Sequence, residues 1–541
     1  MSRSRVIVPA ALLIGVTLLA YLPALHGGFI FDDDVFLTDN PLIRAGDGLR
    51  RFWFGREAAD YWPVASTTLW IEWRLWGLNA AGYHATNVAL HVAEVVLLWA
   101  TLHRLRVPGA LVGALLFAVH PVNAESVTWI TERKNLMAML FFLLTIFWFA
   151  EWLKVERVDP DAQERGRGTA NALRPASSMG GDRHYWLSLA SLVLAMLSKG
   201  SAVVLPLVLL GLVAWRRRPN ARDALRLAPF FLVAAALAFI ESGFSTVLAP
   251  ADMQPLGLLE RLLRAAGIVW FYLGKALWPV NLCFDYGPWT IHSDNVRWWA
   301  PLIAACAMTA LLWIYRRGWS RPALFGWGYF CVALLPVLGF AEVGFMRYSP
   351  VSDHYAHLAM IGVCALAGAG WAWLAGNFSR RWLAAVAATM LAGFGVQTWQ
   401  QNRIYSDAVT LYRDTLARNP ASALSLTNLG ALLSEAGQND EAVELLERAV
   451  RLKPDSPESR NDLGVALYRS GRVPEAVAQY EEALRVRPDL YRVHNNLGVV
   501  LARSGRLPEA MAHFEEALRI EPDFREAQQN LAHARQLSLP R

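Results

Sequence analysis

Three consecutive aspartates, Asp32, Asp33 and Asp34, follow directly on the first long apolar run of this chain. Carboxylates at the edge of an apolar layer are costly, so such a cluster is a functional-site candidate. A base placed there can take the proton of an acceptor hydroxyl while a sugar leaves a lipid-phosphate carrier. The phosphate leaves well by itself, so no second acid is required. The plainer reading is a polar stop at a helix end, since acidic residues near membrane ends are common.

Four further constellations carry groups of the right type. His84, Asn87 and His91 are spaced i, i+3, i+7 and share one helix face. Metal binding would more naturally use His pairs at i, i+4 with a carboxylate, so hydrogen bonding inside a bundle or substrate contact is the preferred reading, and no metal site is expected. In HPVNAESVTWITERKN, His120, Glu125, Glu132, Arg133 and Lys134 stand close together. Glu125 and Arg133, two turns apart, are expected on one face, either in an internal salt-bridge network or at a phosphate site. Lys199, in Ser198-Lys199-Gly200, lies between two apolar runs, where it can snorkel or meet a lipid phosphate. Arg347, Asp353, His354 and Tyr355 precede a late span and could line the same cavity.

The elements that must position these groups are membrane helices. The chain has 541 residues and is 55% hydrophobic, with 23 Trp; soluble chains are usually ~45–50% apolar. The excess lies in residues 1–400, which hold repeated apolar runs, whereas 401–541 are polar and rich in Ala, Leu and Glu. Eleven spans are expected, near 6–25, 85–102, 108–119, 135–153, 185–197, 201–215, 227–248, 298–315, 322–340, 355–375 and 382–399. The first is read as a retained helix rather than a signal peptide. The outer loop 26–84 carries the acidic motif and Trp-rich segments suited to the membrane interface. The net charge of +6 sits in short basic clusters at 3–5, 103–106, 154–183, 216–226, 316–321 and 379–381. That is a topology signal and argues against nucleic acid as a partner. All six clusters fall on the cytoplasmic side if 256–280, with Arg261, Arg264 and Lys275, is a re-entrant or surface helix. The N-terminus is then cytoplasmic, and the aspartates and residues 401–541 are outside. The four cysteines form no CxxC pair and support neither a disulfide framework nor a zinc site.

Residues 401–541 repeat with a period of 34: Gly430, Gly464 and Gly498, then Gly437, Gly471 and Gly505, then Pro454, Pro488 and Pro522. This resembles the tetratricopeptide repeat, two amphipathic helices per unit stacked into an α-solenoid. A degenerate unit (401–422) precedes repeats at about 423–456, 457–490 and 491–524, and a capping helix at 525–537 closes the stack. Such arrays bind peptides or proteins in a groove.

Taken in order, FIFDDDVFLTDNP, YWPVASTTLWIEWRLWGLNAAGYHATNVALHV, HPVNAESVTWITERKNLMAML and SKGSAVVLPLVLL resemble the family of transmembrane-and-tetratricopeptide-repeat proteins, over essentially the whole chain. That resemblance implies an all-α fold: a polytopic membrane bundle of the C-type glycosyltransferase kind followed by the solenoid. It implies an inverting hexosyltransferase that uses a polyprenyl-phosphate-linked sugar, needs no cofactor, and in eukaryotic members O-mannosylates proteins from dolichyl-phosphate mannose. The family's acidic pair falls on Asp32 and Asp33, its HP…E…R pattern on His120, Pro121, Glu125 and Arg133, and its hairpin lysine on Lys199. His84 and His354 are further substrate-binding candidates. Two departures stand out: Trp62 precedes Pro63 where the eukaryotic pattern has Arg, and Gly200 follows Lys199 where it has Glu. The expectation is a bacterial-type member in the inner membrane, for which undecaprenyl phosphate is the natural carrier, with an acceptor protein held by the repeats. The rivals are a non-catalytic envelope scaffold, for which the aspartates would be replaceable, and a polysaccharide polymerase or ligase, disfavoured by the short late loops.

Overall fold

A computed structural model describes residues 4–155, 179–244, 256–340 and 344–538, all helix and connecting loop among the described residues. The chain forms two compact units, Met1–Phe284 with Pro288–Asp407, and Asp285–Gly287 with Ala408–Arg541. The basic loop expected at 154–183 lies mostly outside the described residues.

The first unit contains α1 (Ser4–Ala20), α2 (Pro41–Arg44), α3 (Gly48–Phe54), α4 (Pro63–Trp76), α5 (Ala80–Arg104), α6 (Ala110–Ala118), α7 (Ala124–Thr128) and α8 (Arg133–Val155). It continues with α9 (Met179–Ser198), α10 (Leu205–Arg216), α11 (Ala221–Ser242), α12 (Leu258–Leu277), α13 (Trp299–Ile314), α14 (Arg321–Leu334), α15 (Met360–Asn377) and α16 (Arg380–Ile404). Each stretch expected to span overlaps one of these helices among the described residues; 245–248 of the seventh lie outside them. Six described helices are long and apolar enough to cross a membrane, seven if α6 and the following turn with α7, bent by 51°, count as one; three shorter apolar helices accompany them. Helix α12 is not among the six; it is amphipathic, and its Arg261 and Arg264 donate to the carbonyls of Phe340 (3.2 Å) and Gly339 (2.6 Å).

Lipid tails are as apolar as leucine, so helices in a membrane pack tightly only where side chains are small. Helices α6 and α15 meet in this way. A Cβ on Gly113 would stand 2.6 Å from the carbonyl oxygen of Cys364, and one on Gly368 would stand 2.6 Å from that of Gly109. The loop 26–84 forms a platform with its own small core of Leu37, Leu42, Ile43, Phe52 and Leu69, closed by Tyr83 and Ile130. Each such side chain contributes about 1.5–3 kcal/mol by leaving water. Asn40 caps α2 by accepting from the amide of Leu42 at 2.9 Å.

In the second unit, α17 (Ala408–Arg418), α18 (Ala423–Glu435), α19 (Asn439–Leu452), α20 (Pro457–Arg469), α21 (Val473–Val486), α22 (Tyr491–Arg503), α23 (Leu507–Ile520) and α24 (Arg525–Ser538) follow in antiparallel pairs. The period of 34 has a packing cause. Gly430, Gly464 and Gly498 each leave room for the large side chain of the second helix in the pair, Leu446, Tyr480 and Phe514 respectively. Gly437, Gly471 and Gly505 take φ of 77–79° at the turn, the left-handed region that favours glycine. An amide ladder adds to this: Asn496 donates to Asn461, and Asn530 to Asn495, both at 2.9 Å.

Candidate active site

The acidic motif sits where the platform meets the turn between α7 and α8. Helix α7 ends at Trp129, whose ψ of 118° breaks the helical path, and a 3-10 turn (Ile130–Glu132) then leads into α8. Glu125 and Arg133 therefore do not share one helix face, as their spacing suggested. The break sends the side chains of Thr131–Asn135 in different directions and so separates their roles.

Asp33 is wholly buried. It accepts from the amide of Ile30 at 2.9 Å and from the amide of Thr131 at 3.0 Å, one bond on each oxygen. It is a latch between the loop and the turn. Burial, reinforced by the Asp32 charge, pushes its carboxyl up to about 7, against the pull of those bonds. Asp32 is half-buried and, among the described residues, accepts only from the hydroxyl of Thr131, at 2.8 Å. Burial raises it to about 6, with the ammonium of Lys134 pulling it down and Glu132 pushing it up. A carboxylate poised near neutrality, with lone pairs unclaimed, suits a general base. Asp34 is exposed and accepts from the amide of Val35 at 2.7 Å.

Two lysines converge on one carboxylate beside the aspartates. Glu132 holds Lys134 at 2.8 Å through Oε1, while Oε2 meets Asn135 at 2.5 Å and Lys199 at 3.4 Å. Lys199 also donates to Asn135 Oδ1 at 2.7 Å. The Lys134 ammonium lies 4.4 Å from the centre of the Trp62 ring, with Phe36 and Trp129 at 5.4 and 5.7 Å. Such a site adds cation–π attraction to the ion pair. Burial lowers Lys199, with Glu132 opposing. Asp60, raised by burial, lies within the fields of both lysines. Thr131, Asp60, Trp62, Phe36 and Ser66 line a small cleft.

The other expected site residues have protein partners. Arg133 is fully buried: it pairs with Glu72 of α4, donates to Asn87 Oδ1 at 2.8 Å and donates to the Tyr83 carbonyl at 2.8 Å. It braces α4, α5 and α8, and its neighbour Lys134, not Arg133, is the cation beside the aspartates. Glu125 accepts from the Ser352 hydroxyl and, at 2.8 Å, from the amide of His354, clamping α7 to the 352–354 turn. His354 is thereby brought near Asn135, which approaches its carbonyl at 3.4 Å. His120 caps the turn at Pro121 and meets the Ala276 carbonyl of α12 at 3.0 Å, away from the lysines. His84 packs under the Gly27 turn, where a Cβ would stand 2.8 Å from Nε2. The side chain of Arg347 is outside the described set.

Both departures from the eukaryotic pattern have a structural counterpart. Trp62 covers Lys134. A side chain at Gly200 would run into the carboxylate of Glu241 from α11. Glu241, Asp60 and the choice of Lys134 over Arg133 were not read from sequence. The only signal for Lys134 was its place in the TERKN run.

His91 does not join His84 and Asn87 in one site. It turns to Glu94 on the same helix, which also meets His357.

The helices orient the site consistently. Helices α5 and α8 begin beside it, at Tyr83 and Arg133, and their far ends are tied by Arg104–Glu151 at 2.5 Å. Ser406, beyond α16, accepts from the amide of Gly28 at 2.8 Å, so the first unit ends beside the acidic loop.

Comparison with known proteins agrees with the sequence resemblance. Tetratricopeptide repeat family models match residues 411–444, 432–471 and 461–523. The chain is similar to Protein O-mannosyl-transferase F38B6.6 of Caenorhabditis elegans, 23% identical over 83% of this chain and 63% of that protein. It is similar to Protein O-mannosyl-transferase TMTC1 of Mus musculus, 37% identical over 25% of this chain and 16% of that one. A third relative is Protein O-mannosyl-transferase TMTC4 of Homo sapiens, 24% identical over 80% and 65%. The chain thus spans less than two thirds of the length of each of these relatives. Among solved structures, a crystal structure of MamA aligns with 25% of this chain and 80% of its own, at 23% identity and a TM-score of 0.23.

Proposed function

We propose, starting from this likeness to the transmembrane-and-tetratricopeptide-repeat protein O-mannosyl-transferases, that the chain is an inverting membrane glycosyltransferase. It moves a mannose-like hexose from a polyprenyl-phosphate donor to a hydroxyl on a protein acceptor, at the outer face of the membrane. The observation that carries this reading is Asp32, a half-buried carboxylate raised to about 6 and held by a single hydroxyl, next to two lysines that share one counter-ion.

The acceptor oxygen attacks the anomeric carbon from the face opposite the phosphate. The bond from that carbon to the phosphate oxygen breaks and its electron pair leaves with the polyprenyl phosphate. Asp32 takes the hydroxyl proton as the new bond forms. Lys134 and Lys199 stabilise the charge that grows on the leaving phosphate, where fixed positive groups are most effective. Asp33 keeps the loop in register. The repeats hold the acceptor, and the lipid-linked donor is the only small molecule this scheme uses. In the matching topology eleven helices cross, α12 does not, and the N-terminus is cytoplasmic.

The test is transfer itself. Purified protein is supplied with a panel of polyprenyl-phosphate sugars and a hydroxyl-bearing acceptor peptide. Transfer that disappears in Asp32→Asn supports the reading, and transfer that survives in both Asp32→Asn and Asp33→Asn refutes it.

A further inference from the structure

We infer that His91, Glu94 and His357 form a binding site for one divalent transition-metal ion, Zn2+ by preference. The site lies inside the bundle, two helical turns along α5 from His84, and rests on nothing in the transferase reading. All three side chains are buried, and one ligand atom from each lies within 4.8 Å of the others. His91 Nδ1 is 3.0 Å and His357 Nε2 3.3 Å from the same oxygen, Glu94 Oε2. Tetrahedral ligands at about 2.0–2.2 Å from zinc stand ~3.3–3.6 Å apart, so His91 and Glu94 part by a few tenths of an ångström to admit the ion.

Hydrogen-bond logic requires something positive at this point. Asn123 donates from Nδ2 to the Phe117 carbonyl at 2.9 Å, so its Oδ1 faces His357 Nδ1, also at 2.9 Å. An acceptor there makes Nδ1 the protonated nitrogen. Neutral His357 then turns a bare Nε2 lone pair toward the lone pairs of Glu94 Oε2. Glu94 Oε1 is also buried with no hydrogen-bond partner. Buried polar atoms of this kind need an explanation, and a cation between the three groups supplies one. Two imidazoles and a carboxylate suit zinc and its late first-row neighbours. Asn123 occupies the place of the outer residue that fixes the tautomer of a metal-bound imidazole. Tyr21, edge-on to His91 at 4.9 Å, and Phe117 close the site. The ion would tie α5 to the segment carrying His354, three residues before His357.

The test is the metal content of the full chain, purified in detergent through a tag without histidine, from zinc-supplemented cells. The expected result is about one equivalent of metal by mass spectrometry and a Tm that falls with chelator and recovers with Zn2+. Glu94→Gln and His91→Ala should each lose at least ~90% of the metal, and Asn123→Ala should bind about 10–100-fold more weakly. If those variants do not fold, the visible spectrum of Co2+-loaded wild type decides: ligand-field bands support the site, and their absence overturns it. Wild type that holds less than about a tenth of an equivalent, with a Tm insensitive to chelator, overturns the proposal. So does a protonated-carboxyl infrared band that persists with excess Zn2+ and that Glu94→Gln removes, which assigns a shared proton instead.

Discussion

Asp32 and Asp33 are adjacent, chemically identical and both raised by burial, yet their hydrogen bonds assign them different tasks. Replacing each with asparagine separates those tasks. The Asp32→Asn side chain keeps an oxygen for the Thr131 hydroxyl, so folding should be unaffected while the base is lost. A positioned general base is worth about 10²–10⁴ in rate, or about 2.7–5.4 kcal/mol of barrier at 1.36 kcal/mol per decade. The Asp33→Asn side chain has one oxygen for two amides, those of Ile30 and Thr131. One buried amide then faces an NH2 group, at about 1–3 kcal/mol of stability. The assay is single-turnover transfer with excess enzyme, beside a thermal melt of each variant. Asp32→Asn should lose at least a hundredfold in rate with an unchanged Tm, and Asp33→Asn should lose Tm together with rate. A dead Asp33→Asn with wild-type Tm, beside an active Asp32→Asn, would transfer the base to Asp33 and refute the assignment. The pH profile adds an independent check. The base acts ionised, so the rate should rise with pH through about 6 and then level.

Stability should respond to pH in the opposite sense. Asp33 binds its proton more tightly when folded, at about 7, than when unfolded, near ~3.9. Its contribution is full below ~4 and is lost as pH rises through 7, so the Tm gap between wild type and Asp33→Asn should shift across that window. Lys134→Met and Lys199→Met should weaken use of the donor in steady-state kinetics, whereas a charge-free surface role would leave donor KM unchanged. Arg133→Met leaves Glu72 as an unpaired buried charge and should cost about 3–5 kcal/mol, read by denaturant melting; a variant that folds normally but loses donor binding would restore Arg133 to the phosphate site. Gly464→Val drives a side chain into Tyr480 and should destabilise the repeats by about 1–3 kcal/mol, measured by circular dichroism melting.

Much of the fold was legible because it depends on local regularities. Apolar runs of spanning length become helices, and a 34-residue period fixes where each glycine meets a large partner. The site was legible only as a set of neighbourhoods. Asp32, Glu132, Lys199 and His354 converge as the motifs suggested, but the division of labour within TERKN depends on the break at Trp129, and periodicity does not show a break. Arg133 carried the stronger sequence argument, but its partner Glu72 is 61 residues earlier, on α4. The His91–Glu94–His357 cluster brings together Glu94 and His357, 263 residues apart, and was invisible from spacing along α5. Glu241 behind Gly200 is a similar case: the carboxylate comes from another helix.

If the chain transfers sugar as proposed above, Glu132 has a consequence for turnover. Its two oxygens already occupy both lysines, so the resting site contains its own rival to the donor phosphate. An incoming donor must displace a tethered anion that never diffuses away. This weakens donor binding, and the same rivalry acts on the spent carrier: as polyprenyl phosphate loosens, Glu132 reoccupies the lysines and favours its departure. Glu132→Gln should therefore bind both lipids more tightly and turn over more slowly when release limits the cycle.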